Sequence, residues 1–201
     1  MKTNRHLVVF AKAPHMGRVK TRLGKDIGIV AATNFYRLNI KRILSRLSMD
    51  NRWNCWIALN PDSEIWNKAF WPDNFTAIRQ GSGDIGQRMG RIMQTMPPGP
   101  VVIIGADVPG IYPQHIESAY KALGFCDVVF GPSVDGGYWL VGAKRTPRVP
   151  EIFKIVRWST EFTLSDTLTQ TRQKQLKFNL LKSLVDIDDG FSYQMWIKDA
   201  L

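Results

Sequence analysis

The sequence predicts an α/β protein, with a mostly parallel central sheet and helices on both of its faces. Three observations predict it. Short apolar, β-branched runs recur through the first two-thirds of the chain, and amphipathic segments of helical length separate them, which is the alternation of a parallel sheet. Two of the runs, Leu7-Val-Val-Phe10 and Val101-Val-Ile-Ile104, are apolar throughout, as strands covered on both faces are. Glycine, proline, asparagine and aspartate cluster where the runs end, and they stop regular structure there.

Taken in order, residues 7–10 are the first strand. A basic loop follows, then residues 27–47 read as one long amphipathic helix. Its apolar positions are Val30, Ala31, Phe35, Leu38, Ile43, Leu44 and Leu47, with Lys41, Arg42 and Arg46 on the other face. Residues 54–59 are a second strand, 62–70 a short helix and 75–79 a third, more polar strand. Asp84 caps the next helix, and Gln87 three residues later completes a capping box. Residues 101–104 form the most buried strand. A helix over 113–123 carries proline in its first turn. Residues 127–130 and 138–141 are strands, 160–172 a helix, 180–185 a last strand, and a terminal helix starts near residue 191. The irregular, tryptophan-bearing segment from 131 to 158 reads as an insertion lining a site.

The bulk numbers exclude several classes. A chain of 201 residues is most simply one domain over 1–201, and 44% apolar with 22% charged residues is ordinary globular composition. No apolar run approaches the roughly 18 residues of a membrane span. The amino-terminal residues lack the apolar core of a signal peptide, and two scattered cysteines, Cys55 and Cys126, suit a reducing, cytoplasmic setting. A formal charge of +10 fits nucleic acid, an anionic membrane surface or polyphosphate ligands. No zinc-finger, basic-zipper or RNP-type motif is present, and the charge is front-loaded: residues 1–25 hold seven Lys/Arg and no acid. A small anionic ligand accounts for this most simply, without nucleic acid.

The front charge sits on the loop after the first strand: Lys12, Arg18, Lys20, Arg22 and Lys25, with His15 among them. In open α/β sheets that end of a strand is where ligands bind. The loop is not a P-loop, since Gly24-Lys25 is followed by Asp26. Lysine and arginine side chains, rather than a glycine cradle, would hold a phosphate here. Asp107 ends the most buried strand, where a carboxylate is costly unless it pairs, caps or binds a metal. It reads equally as a cap and as half of a Mg²⁺ or Mn²⁺ site. Asp186 and Asp188 alternate, so an extended segment would point both the same way and offer the other half. Convergence of all three on one divalent ion is the expectation.

Gly83 to Arg88, with Asp84 inside it, opens a helix at the same sheet edge and is expected to meet the base, the ribose or the acceptor. Asp135 to Trp139 puts Gly136 and Gly137 beside Tyr138 and Trp139, a polar turn next to flat apolar surface, and is expected to shape the acceptor pocket. Gly81-x-Gly83-x-x-Gly86 matches the dinucleotide fingerprint, with Asp107 lying 21 residues beyond Gly86. That motif should follow the leading strand, yet here it follows the third. His6, His15 and His115 form no nucleophile-and-base pattern.

The motifs together resemble a bacterial family of GT-A-type, glycosyltransferase-like proteins (the DUF2064 type), related to the 2-phospholactate guanylyltransferases and the molybdenum-cofactor nucleotidyltransferases. The matching residues are Phe10-Ala-Lys12-Ala-Pro14 with Gly17-Arg-Val-Lys20-Thr-Arg22-Leu23, then Gly83-Asp84-Ile-Gly86-Gln-Arg88-Met89. Gly105-Ala-Asp107-Val-Pro109-Gly110, Gly131-Pro132, Asp135-Gly136-Gly137-Tyr138-Trp139, Trp158-Ser159-Thr160 and Asp186-Ile-Asp188 complete the set. Asp189 stands where the family usually has threonine, and Val108 where it favours a small polar residue.

The resemblance implies a GT-A fold and a metal-dependent transferase. It would use a nucleoside triphosphate or nucleotide sugar as donor and a small molecule as acceptor. Carried over, Lys20 and Arg22 go to phosphate within the loop shaped by Lys12, Pro14 and Gly17, Asp107 goes to metal, and Asp186 with Asp188 to the metal's second side. Ser159 and Thr160 join the acceptor side. Nucleotidyl and glycosyl transfer use the same groups and stay open. A non-catalytic nucleotide-binding module and an NAD(P)-dependent oxidoreductase are the alternatives.

Overall fold

Strand β1 (His6–Lys12) runs through the interior of the sheet, and Leu7, Val8 and Val9 are fully buried. In the computed structural model, which describes residues 4–67 and 69–200, seven strands lie in the order β3-β2-β1-β4-β6-β5-β7. They are β2 (Asn54–Asn60), β3 (Thr76–Arg79), β4 (Val101–Gly105), β5 (Val128–Pro132), β6 (Tyr138–Ala143) and β7 (Phe178–Leu180). All neighbours pair in parallel except β6, which enters antiparallel between β4 and β5, with Val102 opposite Gly142 and Phe130 opposite Val141.

The helices are α1 (Thr21–Ile27), α2 (Ile29–Ser48), α3 (Ile85–Thr95), α4 (Pro113–Ala122), α5 (Thr163–Gln173) and α6 (Gly190–Ala200). Period-two alternation sends neighbouring strand residues to opposite faces. Leu7, Val9, Ile57, Leu59, Val102 and Ile104 meet Tyr36, Ile40 and Leu44 of α2 and Ile116 and Ala119 of α4. On the other face, Val8, Ala58, Ile103, Phe130 and Val141 meet Met89, Ile92 and Met93 of α3 and Leu168 of α5. The apolar-throughout character of β1 and β4 is the consequence of this double cover.

Several boundaries differ from the sequence reading. The long helix expected over 27–47 is α2, which starts two residues later than read. Gly28, at φ 88°, separates α2 from α1, which begins inside the basic loop. In the first half of α2, Val30 and Leu38 are 61% and 56% exposed, while Tyr36 and Asn39 are buried. Those two polar groups can be buried because both have partners at the site described below. Among the described residues of 62–70, the helix expected there is a short 3₁₀ turn, Asp62–Trp66, and residue 68 lies outside the described residues. The last strand lies earlier than expected: β7 leaves β5 after Leu180, and only an isolated bridge joins Leu184 to Ser133.

Sequence order reverses across β1. The chain moves outward from β1 to β3 and returns to β4 on the other side, so the ends of β1 and β4 flank a topological switch point, where such sheets leave a crevice for ligands. Gly28 is the hinge that sets α2 against this crevice. A β-carbon there would meet nothing within 4 Å, so its cost is conformational alone. Gly28→Ala is expected to lower stability by about 1–3 kcal/mol in urea unfolding, the penalty of a β-carbon at φ 88° and ψ 146°, a region that is essentially glycine's alone.

Candidate active site

Two buried polar residues of α2 fix the crevice floor. The Tyr36 hydroxyl donates to the Lys12 carbonyl and accepts from the Lys12 amide, both at 3.0 Å, pinning the end of β1. Asn39 donates from Nδ2 to the Ala106 carbonyl at 2.8 Å. Arg46 donates to the carbonyls of Pro109 and Ile111 at 3.0 and 2.9 Å. Asp107 is thus held by anchors on both sides in the turn that leaves β4.

The centre of the site is an ion triad. Lys20 Nζ lies 2.7 Å from Asp107 Oδ1 and 2.6 Å from Asp188 Oδ1. The lysine side chain is 3% exposed, while the two carboxylates are 52% and 37% exposed. Burial alone would depress the ammonium, but the two carboxylates outweigh it and hold Lys20 above the usual lysine range. Its backbone, at φ 49° and ψ 45°, is left-handed at the amino end of α1. Arg22 stands further out, 76% exposed, with Nη2 3.8 Å from Asp188 Oδ2.

Asp188 reaches Asp107 through backbone contacts that sequence separation conceals. The Ile187 amide donates to the Asp107 carbonyl at 3.3 Å, and Ile187 itself is buried with Leu23, Ala32 and Phe35. The Gly190 amide donates to Asp26 Oδ2 at 2.7 Å, tying α6 to α1. Asp186 faces a different neighbour. Burial first, then the charges of Asp135 and Asp188, push its carboxyl up to about 6. Asp107, Asp186 and Asp188 are therefore near one another without forming one ligand set. Among the described residues no group of three or more His, Cys, Asp or Glu side chains is arranged to hold a metal ion.

Two cavities meet at Asp107 and Asp188. One, of about 420 Å³, is basic: Lys12, Arg18, Lys20, Arg22 and Arg88 line it, with Tyr36, Gln80 and Ser159. Gln80, 3% exposed, is set rigidly: Nε2 donates to the Ala58 and Ala11 carbonyls, and Oε1 accepts from Arg88 at 2.9 Å. Pro14, Gly17, Gly83 and Asp84 lie outside this lining. Gly17 borders a separate hollow beside Lys25 and Ile29, and Asp84 is spent on its capping box with Gln87.

The other cavity, of about 260 Å³, is largely apolar and aromatic. It is lined by Asp135, Gly137, Tyr138, Trp139, Ser159 and Thr160, as the sequence reading expects, together with Phe10, Met89 and Trp158; Gly136 is not part of it. Trp139 is nonetheless 3% exposed, with its indole donating to the Lys182 carbonyl at 3.3 Å, so it is as much core as wall. Trp158 lies so close over Gly86 that a β-carbon there would strike its ring. Two motifs far apart in sequence thus meet by direct contact.

Sequence reasoning missed Tyr36 and Gln80, which line the basic cleft, whereas Trp158 lay in the segment it read as lining a site. Gln80 carried a signal, a lone amide at the carboxyl end of a parallel strand. Tyr36 carried none, since a helix tyrosine reads as core. The glycines of the dinucleotide fingerprint follow β3, an edge strand, and not the leading strand β1 after which such a motif belongs.

This architecture, a seven-stranded mostly parallel sheet with its crevice at the ends of β1 and β4, is the fold of the nucleotide-diphospho-sugar transferases and their nucleotidyltransferase relatives. The family described as an uncharacterized protein conserved in bacteria (DUF2064) matches residues 43–160, and the chain belongs to that family. A crystal structure of a candidate nucleotide-diphospho-sugar transferase from Desulfovibrio desulfuricans G20 superposes with a TM-score of 0.91 at 26% identity, covering 98% of this chain and 87% of that one. The inositol-1-phosphate CTP transferase of T. maritima matches with a TM-score of 0.63 at 11% identity, over 99% and 95% of the two chains. A CMP:2-keto-3-deoxy-manno-octonic acid synthetase solved with CTP gives 0.62 at 12% identity, over 99% and 100%. No curated protein matches the sequence. None of the helices, among the described residues, is long and apolar enough to cross a membrane.

The unequal burial within the triad yields a test. Lys20→Met leaves two half-exposed carboxylates that water can solvate, and is expected to cost about 1–2 kcal/mol. Asp107→Asn with Asp188→Asn strands a buried ammonium, and is expected to cost more, about 3 kcal/mol. Urea unfolding at neutral pH compares them; equal losses would mean that Lys20 is not the buried member that depends on its partners.

Proposed function

We propose that the protein is a metal-dependent transferase that takes a nucleoside triphosphate or nucleotide sugar as donor and a small molecule as acceptor. The observation that carries this reading is the meeting of a basic cleft and an acid-edged aromatic pocket at Asp107 and Asp188. Donor phosphates suit the cleft, where Lys12, Arg18, Arg22 and Arg88 offer charge-assisted hydrogen bonds to anionic oxygens. The nucleoside would extend toward Gln80 and the first turn of α3, and the acceptor's reacting group would sit beside Asp135 at the edge of the aromatic pocket.

The residues present fit a divalent ion as a pair rather than a triplet. Asp107 and Asp188 already share one cation, the Lys20 ammonium, and two carboxylates beside phosphate oxygens are the donor set Mg²⁺ or Mn²⁺ takes. These two would hold the ion, with Asp186 beside them, and the ion would supply neutralisation of phosphate charge. Arg22, exposed at the cleft mouth, would take charge developing on the departing pyrophosphate or nucleoside diphosphate. Lys20 would add its own charge from the floor. The protein's share is positioning and electrostatics, with no covalent intermediate on a side chain.

Nucleotidyl transfer is the first reading, supported by the CTP-using neighbours: an acceptor oxygen attacks the α-phosphorus and pyrophosphate leaves. Glycosyl transfer is the second, supported by the Desulfovibrio neighbour. A thermal-shift and calorimetric screen of nucleoside triphosphates and nucleotide sugars, with and without Mg²⁺ or Mn²⁺, tests both. At least one nucleotide should bind more tightly with metal, and Arg22→Ala or Arg88→Ala should weaken it about tenfold. Failure of every nucleotide to bind would sink the proposal. Binding without metal-dependent product would identify a non-catalytic nucleotide module instead.

A further inference from the structure

Beyond the aromatic pocket lies a third cavity, of about 570 Å³, between α6 and the chain leading to Asp189. Its apolar lining is Val134, Leu184, Val185, Phe191, Met195 and Trp196. Phe191 is 76% exposed, Val134 70%, Val185 54% and Met195 46%. Those four side chains come from three separate stretches of chain, so one groove gathers exposed apolar surface that each stretch would otherwise leave scattered.

Two features say what belongs there. The first is continuity with the candidate active site: Asp135, Asp186 and Asp188 line both this groove and the aromatic pocket, so the two form one path past the carboxylates. The second is charge. The groove's polar end carries Asp135, Asp186, Asp188 and Asp189, while Arg22, the one cation lining it among the described residues, is already turned toward Asp188 at 3.8 Å. An anionic head group would meet carboxylates; a hydroxyl or ammonium group would donate hydrogen bonds to them.

We propose that this groove receives the body of the acceptor, and that the acceptor is a small amphiphile with an apolar body and a hydrogen-bond-donating hydroxyl or ammonium head. This rests on the transferase reading and narrows it. The head lies at Asp135 and Asp186, next to where the donor's phosphates arrive, and the body runs along Val134, Val185, Phe191 and Met195. Donor and acceptor then enter by different cavities, the basic cleft and the groove, which meet at Arg22 and Asp188.

Calorimetric titration of the full-length chain with n-alkylammonium salts from butyl to octyl tests this, with alkyl sulfates of the same lengths as the opposite-charge series. Affinity for the ammonium series should rise about fourfold per added methylene, the increment expected for hydrocarbon leaving water. The sulfates should bind at least tenfold more weakly. Phe191→Ser combined with Val134→Ser should flatten the chain-length dependence; both positions are exposed, so folding is not at risk. Leu38→Ser, an exposed apolar residue of α2, should leave the dependence as it is. The same dependence in the groove variant as in the wild type, or none in the wild type, would overturn the proposal. So would sedimentation showing a dimer that the groove variant abolishes, since the groove would then be a self-interface. Nucleotide titration of the same samples reports on the transferase reading separately: if nucleotides fail while the alkyl series holds, that reading falls and the groove stands.

Discussion

One buried ammonium organises this molecule. Lys20 is drawn from the basic loop into the protein, where its charge is tolerable only because Asp107 and Asp188 meet it at 2.7 and 2.6 Å. The carboxylates, for their part, come from segments 81 residues apart and would repel one another without it. Three pieces of backbone are therefore interdependent: the left-handed start of α1, the turn after β4 and the approach to α6. A non-glycine residue in left-handed conformation costs on the order of 1 kcal/mol. The paired charges offset that cost, as strain at a functional position is commonly offset by the structure around it.

The same arrangement explains how so basic a chain keeps acids at its centre. Most of the lysine and arginine charge around the crevice is at the cleft rim, on Lys12, Arg18, Arg22 and Arg88, where water solvates it until an anion arrives. The acids lie inward of that rim, at the ends of β4 and β5 and before α6. Field from the rim would draw a polyphosphate inward, and the acids would then demand a cation beside it. On the proposed reading, charge of one sign would steer the donor, and charge of the other would orient what reacts with it.

Polar residues of the surrounding helices serve this geometry more than they serve the helices. Tyr36 and Asn39 occupy positions on the buried face of α2 that periodicity assigns to apolar residues, and each is bonded to the chain end it positions. Gln80 does the same between β1, β2 and α3. Trp158, laid over Gly86, closes the gap between the basic cleft and the aromatic pocket. Tyr36, Asn39 and Gln80 each bond a backbone carbonyl or amide of the chain end they position, which holds the crevice walls in place.

The sequence by itself determined the alternation of strands and helices, the double burial of β1 and β4, the capping box of α3 and the concentration of cations after β1, because each is local: periodicity, turn chemistry and charge density within a dozen residues. It also marked Asp107, Asp186 and Asp188 as acids meeting at one sheet edge, and Asp135 to Trp139 as a segment that shapes a pocket. It missed the short helix α1 and the glycine that separates it from α2, and it misplaced the last strand, whose position depends on pairing with β5. Only the tertiary structure decided that Lys20 turns inward to the carboxylates while Arg22 stays in water, that Asp186 sides with Asp135, and that Tyr36 and Gln80 belong to the site. Those outcomes depend on which distant chain segments are brought within about 3 Å of one another, and charge pairing over that distance is a property of packing, which no local pattern encodes.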